Sequence, residues 1–311
     1  MKTILIIGGA VFIGSNLAKK LFCQGYQIII YDNFSSGQLT NLSTVKNNIK
    51  IIKGDILDYR KLNHCILKYQ PDIIFHLAAI HYIPDCDKNP EKTHRVNVDG
   101  THNILKIITA LKINPFFIFI SSAAVYKNSK KSLAETDKTQ PICIYGKTKL
   151  LGEKIIKQLC FKKEIPFIII RLFNVYGPND KTPHVIPKII SQLKRKSAVI
   201  TLGNLQPKRD FIYVDDVSDA LSNLLAHKPK NIIYNLGTGK EYSIKNIVEK
   251  VAKLLEDKKE LKILSKNDLQ RKIERFNLKA DINKIKKEFH WKPKVDIDQG
   301  IKLLLKKEGL L

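Results

Sequence analysis

Thr3-Ile4-Leu5-Ile6-Ile7-Gly8-Gly9-Ala10-Val11-Phe12-Ile13-Gly14-Ser15-Asn16-Leu17 is the stretch on which the reading of the fold turns. An apolar run enters a glycine turn, and helical spacing begins after it. A first strand, a glycine turn and a helix in this order let backbone N–H groups and the helix N-terminus hold a pyrophosphate. Asp32 ends the next apolar run, about 18 residues after Gly14. An acid there accepts hydrogen bonds from an adenosine ribose and repels a 2′-phosphate, which favours NAD over NADP. Taken alone, Asp32-Asn33 reads equally well as a turn after a strand.

Outward from this unit, apolar runs occupy residues 3–7, 27–31, 50–53, 72–76, 116–121, 166–171 and 231–235. Amphipathic stretches at 15–24, 97–112 and 145–162 lie between them. Continuous apolar runs are expected of strands covered on both faces. The alternation predicts an α/β protein with a Rossmann doubly wound parallel sheet. After residue 177 the pattern turns irregular, with Pro178, Pro183, Pro187 and Pro207 and helical segments near 184–196, 243–257 and 281–289. The expected division is an NAD-binding Rossmann domain over 1–176, partly rejoined by 208–240. A smaller α/β substrate-binding lobe takes most of 177–311. The natural ligand site is a cleft between the two.

Composition narrows the class. The chain has 311 residues, 44% hydrophobic and 27% charged, which is globular rather than disordered or low-complexity. No run of about 20 apolar residues is present to span a membrane. The apolar N-terminus lacks a small-residue cleavage pattern and is interrupted by glycines, so it reads as a buried strand rather than a secretory signal. Five cysteines, odd in number and never in a CxxC, argue against disulfide and thiolate-zinc frameworks and for a reducing cytoplasm. The net charge of +25 comes almost wholly from lysines spread along the chain among many Ile and Asn residues, a pattern that codon bias toward AT-rich DNA explains. No arginine-rich run interleaved with aromatics appears, which disfavours nucleic acid as the partner. A basic surface still attracts anionic substrates.

The catalytic candidates are Tyr145-Gly146-Lys147-Thr148-Lys149 and Ser121-Ser122-Ala123-Ala124-Val125-Tyr126, the latter ending the apolar run 116–121. Tyr145 and Lys149 are i and i+4 and share a helix face. An ammonium beside a phenol favours the phenolate, so Lys149 is expected to lower the Tyr145 pKa toward working pH and make it a general base or acid. A YxxxK pair by itself is also what an ordinary exposed helix face can carry.

Glycine turn, Asp32, serine strand and YxxxK occur in the order and spacing of the extended short-chain dehydrogenase/reductase superfamily. The chain resembles its NAD-dependent sugar-nucleotide epimerase/dehydratase branch over about residues 2 to 295. The family turn is GxxGxxG, and Val11 stands in place of the middle glycine. The resemblance assigns cofactor contacts to Gly8, Val11, Phe12, Ile13, Gly14, Asp32, Asn33, Asp55, Ile56, Leu77, Ala78, Ala79, His81, Asn97, Ser121, Tyr145, Lys149 and Phe173. It implies a proton-handling set of Ser122, Tyr145 and Lys149. His76 and His81 lack carboxylate or thiol partners at ligand spacing, so no metal is expected.

Arg171-Leu172-Phe173-Asn174-Val175-Tyr176-Gly177-Pro178 resembles the family segment RxxNVYGP. Asn174 and Arg209 are thereby expected on the substrate diphosphate, and His184 and Val185 beside the nucleotide base. Counting back ten residues from Asp281 gives Arg271 as the second diphosphate arginine. Leu202 replaces the aromatic that stacks on uracil in uridine-binding relatives, which leaves the nucleotide open. Family 4,6-dehydratases carry Asp-Glu after the catalytic hydroxyl residue. Ala123-Ala124 can transfer no proton, which disfavours dehydration.

The expectation is an NAD-dependent epimerase of a nucleotide-diphosphate sugar, like UDP-glucose 4-epimerase in chemistry and serving polysaccharide precursors. By family analogy it is a homodimer through 97–112 and 145–162. The rivals are a sugar-nucleotide reductase or dehydrogenase, and a non-catalytic NAD-sensing or RNA-binding protein on the same scaffold.

Overall fold

A computed structural model of the chain describes residues 1–195, 199–227, 232–255, 261–266 and 275–311. Its centre is a seven-stranded parallel sheet. In chain order the strands are β1 (Thr3–Ile7), β2 (Gln27–Asp32), β3 (Lys50–Lys53), β4 (Ile73–His76), β5 (Phe116–Ser122) and β6 (Phe167–Leu172), followed by Ile233–Leu236. The spatial order is Ile233–Leu236, β6, β5, β4, β1, β2, β3. The order reverses between β1 and β4, the switch point at whose strand carboxyl ends open α/β sheets bind ligands.

Register and burial show why these segments are strands. Ile4 to Ile7 pair with Ile28 to Tyr31 on one side and with Ile73 to His76 on the other. All eleven hydrophobic members of these three runs, up to the terminal His76, are at most 4% exposed, as a sheet covered on both faces requires. One face packs Leu5, Ile7, Ile29, Ile74, Phe117, Phe119 and Ile169 against Leu62, Ile66, Ile104, Ile108 and Ile156 of the helices Tyr59–Tyr69, Gly100–Ala110 and Ile144–Lys162. The parallel doubly wound sheet is thus the architecture the apolar periodicity implies.

The chain forms two compact units. The first comprises Met1–Lys127, Lys138–Leu172 and Val217–Tyr234; the second comprises Asn128–Asp137, Phe173–Asp216 and Asn235–Leu311. The second has its own core of Ile186, Ile189, Ile200, Leu202, Ile247, Val248, Val251, Ile301 and Leu305. Short strand pairs frame it: Asn174–Tyr176 with Phe211–Tyr213, and Val199–Leu202 with Lys262–Ser265. No helix among the described residues is long and apolar enough to cross a membrane.

Asp210 organises the second unit. It is fully buried and accepts hydrogen bonds from Thr238 N (2.7 Å), Thr238 Oγ1 (2.6 Å), Gly239 N (2.8 Å) and Ala280 N (3.1 Å). Burial raises its pKa, and these donors pull it back. Replacing Asp210 by Ala strands four donors and is expected to cost about 3 kcal/mol or more. A urea midpoint unchanged from the parent chain would refute this.

Candidate active site

The glycine turn closes on the loop after β4. Gly8 has φ of +82°, and a Cβ there would lie 2.6 Å from Ala78 N. Leu77 N and Ala78 N both donate to Ile7 O, at 2.9 and 3.0 Å, which brings the two loops together. A Cβ on Gly14 would meet Gly8 O at 2.3 Å, so the helix Phe12–Cys23 starts directly against the turn. Its N-cap, Val11, makes no side-chain capping bond, which leaves first-turn N–H groups without a side-chain acceptor. Val11 has φ −82° and ψ 175°, extended backbone that a valine adopts without strain. The substitution of the family glycine therefore leaves the turn intact. Phe12 and Ile13 occupy the first helical turn, half-buried.

Asp32 is 6% exposed and serves this turn. Its Oδ2 accepts from Ala10 N (2.9 Å) and its Oδ1 from Phe34 N (2.8 Å). Burial raises its pKa against these two bonds. Asn33 Nδ2 donates to Asp55 Oδ2 (2.9 Å), and Leu57 N donates to Asp55 Oδ1 (2.8 Å), so the acid that the resemblance puts at the adenine is tied to the loop beside Asp32. Ile56 is buried beneath it. A cradle lined by glycines, an uncapped helix N-terminus and a carboxylate at the end of β2 together suit the pyrophosphate and ribose of NAD.

Asn97 lies in a π-helical segment, Arg95–Asp99, a bulge of the kind that re-aims side chains at functional sites. Its amide is committed: Oδ1 accepts from Ile80 N (2.8 Å), and Nδ2 donates to Ile80 O (2.9 Å) and Thr148 Oγ1 (3.0 Å). Thr148 Oγ1 donates onward to Tyr145 O (2.9 Å). Asn97 thus ties the loop Leu77-Ala78-Ala79-Ile80-His81 to the helix bearing Tyr145 and Lys149. Ser121 is 1% exposed and its hydroxyl donates to Glu153 Oε1 (2.6 Å).

The hydroxyl set meets at the mouth of β5. Ser122 Oγ accepts from Ala124 N (3.1 Å), so its own hydrogen is free to donate, and it bonds the Tyr145 phenol oxygen. Tyr145 opens the helix Ile144–Lys162, whose N-cap Cys143 accepts from Gly146 N through Sγ at 3.4 Å. Lys149, 3% exposed, places Nζ 4.5 Å from the Phe119 ring centroid.

The electrostatics differ from the expectation drawn from the YxxxK pair. Burial pushes the Tyr145 phenol above the ordinary tyrosine range, and the Ser122 hydroxyl, not Lys149, is what pulls it down. Burial likewise lowers Lys149 to about 7, against the opposing field of Glu153. Dehydrating both groups outweighs their mutual attraction. Burial also holds His81 neutral and lowers His76 to about 3, with the Lys149 charge adding to each.

In the second unit, Phe173 is buried and its N–H donates to Leu236 O (2.9 Å). Asn174 pairs with Phe211 and leaves a buried Oδ1 without a protein partner. Arg209 sits half-buried on a short strand facing Tyr242. His184 caps the helix Val185–Lys194, with Val185 its first residue. Leu202 is 4% exposed and packs in this unit's core. Arg271 lies outside the described residues. Sequence reasoning missed Glu153 and Asp210, both buried acids whose partners are distant in sequence.

Two outcomes test this geometry. Val11→Gly is expected to tighten NAD in titration calorimetry, because glycine is the better N-cap and uncovers the first-turn N–H groups; weaker binding would count against the cradle. Unfolded lysine keeps its proton to about 10. Between pH about 7 and that value the unfolded chain therefore binds the extra proton, and stability rises with pH. The shift at Tyr145 acts oppositely, only above about pH 10. The urea midpoint of the parent chain should climb relative to Lys149→Met from pH 7 to pH 9.

Comparison with known proteins places this geometry. The family model described as GDP-mannose 4,6 dehydratase matches residues 5–304. A UDP-N-acetyl-alpha-D-glucosaminuronate decarboxylase of Bacillus cytotoxicus is 30% identical over 97% of this chain and 96% of its own. The UDP-glucose 4-epimerase of Thermotoga maritima, solved with UDP-glucose, superposes with a TM-score of 0.89 at 27% identity and 98% coverage of both chains. That of Brucella ovis, solved with NAD, gives 0.89 at 27% identity, covering 100% of this chain and 99% of its own. The chain belongs to the GDP-mannose 4,6-dehydratase family and is an NAD-dependent enzyme of the extended short-chain dehydrogenase/reductase type that acts on sugar nucleotides.

Proposed function

We propose that the protein epimerises a nucleotide-diphosphate sugar at C4 through a transient 4-keto intermediate. The observation that carries this reading is the Ser122–Tyr145 hydroxyl contact followed by Ala123 and Ala124. Ser122 and Tyr145 form one proton-handling unit, and the two residues that follow Ser122 can transfer no proton. Removing a hydride and one proton from a carbinol needs only one such unit; eliminating water across a neighbouring bond needs a further acid and base.

Tyr145 takes the proton of the sugar 4-hydroxyl. Ser122 donates to the reacting oxygen or to the phenolate while its oxygen accepts from Ala124 N. Lys149 keeps a positive charge beneath the phenol when protonated. Bound NAD supplies the hydride acceptor and donor, and its cationic ring adds a charge that favours the phenolate. The same Tyr145 returns the proton after the keto sugar has presented its other face. Asn97 holds the helix and the loop after β4 in one geometry throughout, and such positioning supplies much of the rate. Asn174 and Arg209 are the proposed contacts of the diphosphate, where a guanidinium fork suits the anion. Leucine in the core at 202 leaves UDP and other nucleotides equally open as carriers.

Purified protein incubated with a panel of UDP-, dTDP-, GDP- and CDP-sugars should yield a C4 epimer at equilibrium without net NADH. Stoichiometric NADH formation or consumption would assign a one-way dehydrogenase or reductase. Salt-sensitive RNA binding with no turnover would assign a binding protein. Tyr145→Phe should lower turnover by about a thousandfold or more while NAD still co-purifies, as seen by mass spectrometry.

A further inference from the structure

Tyr145, Lys149 and Glu153 stand at i, i+4 and i+8 of the helix Ile144–Lys162 and so share one face. Glu153 is 1% exposed. Its Oε1 accepts from Ser121 Oγ (2.6 Å) and Arg171 Nε (3.0 Å), and its Oε2 accepts from Arg171 Nη2 (2.8 Å). The Arg171 guanidinium lies 4.7 Å from the Tyr126 ring centroid. Ser121 and Arg171 are register neighbours on β5 and β6, one residue before Ser122 and Leu172. A buried ion pair of this kind contributes little net stability beside well-packed apolar residues. Its placement one turn below the lysine suggests a different use.

We propose that Glu153 is a positioning residue for proton transfer: its carboxylate, forked to Arg171 and bonded to Ser121, balances the Lys149 ammonium and sets how readily that amine holds its proton beneath Tyr145. The catalytic consequence rests on the proposed function; the electrostatic relation does not. Among the described residues, few charged or titratable groups act on Lys149. On its own helix are Tyr145 and Glu153. Cys86 of the helix Ile83–Lys88 acts on it in the same sense as Glu153. His76 at the end of β4 and His81 in the following loop are both held neutral. The Phe119 ring of β5 covers the ammonium, and Arg171 of β6 is forked to Glu153.

The pair makes opposite-sign demands. Glu153→Gln leaves the Arg171 cation unbalanced, so Lys149 should lose its proton at lower pH. Arg171→Met leaves the carboxylate unbalanced, so Lys149 should keep its proton to higher pH. Ser121→Ala changes no charge and should leave the titration where it is. The readout is NMR of the full chain labelled with ¹³Cε-lysine, in which the Lys149 resonance is the one missing from Lys149→Met. Shifts of about one pH unit or more, down for Glu153→Gln and up for Arg171→Met, are expected. The alkaline limb of turnover should move in the same directions. A titration that stays put in both charge variants, moves the same way in both, or follows Ser121→Ala overturns the proposal. If one charge variant fails to fold, the sign in the other decides. Absence of turnover of any sugar nucleotide by the parent chain would sink the proposed function and leave the lysine titration still decisive for Glu153.

Discussion

The helix Ile144–Lys162 lies against β5 and the turn after it more closely than side chains permit. A Cβ on Gly146 would come within 2.4 Å of Ala124 O, and one on Gly152 within 3.0 Å of Phe119 Cζ. Glycine at both positions removes that obstacle, and the approach brings the Tyr145 hydroxyl to Ser122. Everything chemical in the first unit depends on this spacing. The Lys149 ammonium reaches the Phe119 ring, and Glu153 reaches a serine on β5, because no Cβ holds the two elements apart.

Closeness has an electrostatic cost. Dry contact between helix and strand strips water from Tyr145 and Lys149 and pushes both toward their neutral forms. The sheet therefore supplies counter-groups: the Ser122 hydroxyl at one end of the series, the Glu153–Arg171 fork at the other. Neutral His76 belongs to the same economy of charge. Its Nε2 faces Thr101 Oγ1 at 2.8 Å, and that hydroxyl already donates to Asn97 O (2.7 Å), so the imidazole must carry its hydrogen on Nε2.

The elements legible in the sequence were those whose signal is local. Seven apolar runs gave strands within two residues of their observed ends, apart from Asn231, which lies outside the described residues. YxxxK was readable because i and i+4 meet on any helix. What sequence could not show were relations across elements. Arg171 sits 18 residues beyond Glu153, and only the register of β5 with β6 brings it back. Asn97 joins Ile80 to Thr148, 17 and 51 residues away, a tether that no local pattern announces. The burial of Leu202 was hidden in the same way, because alternation along a four-residue strand decides which side chains turn inward, and Ile200 and Leu202 share the inner side.

Asp32 carries a consequence for cofactor exchange. The carboxylate that would repel a 2′-phosphate is also the acceptor that fastens the Ala10 amide and the Phe34 amide. Selectivity and turn architecture are thus written in the same two oxygens. Retargeting such an enzyme to a phosphorylated dinucleotide by replacing this one acid would unfasten the very loop meant to grip the new ligand. A successful redesign must first give those two amides another acceptor.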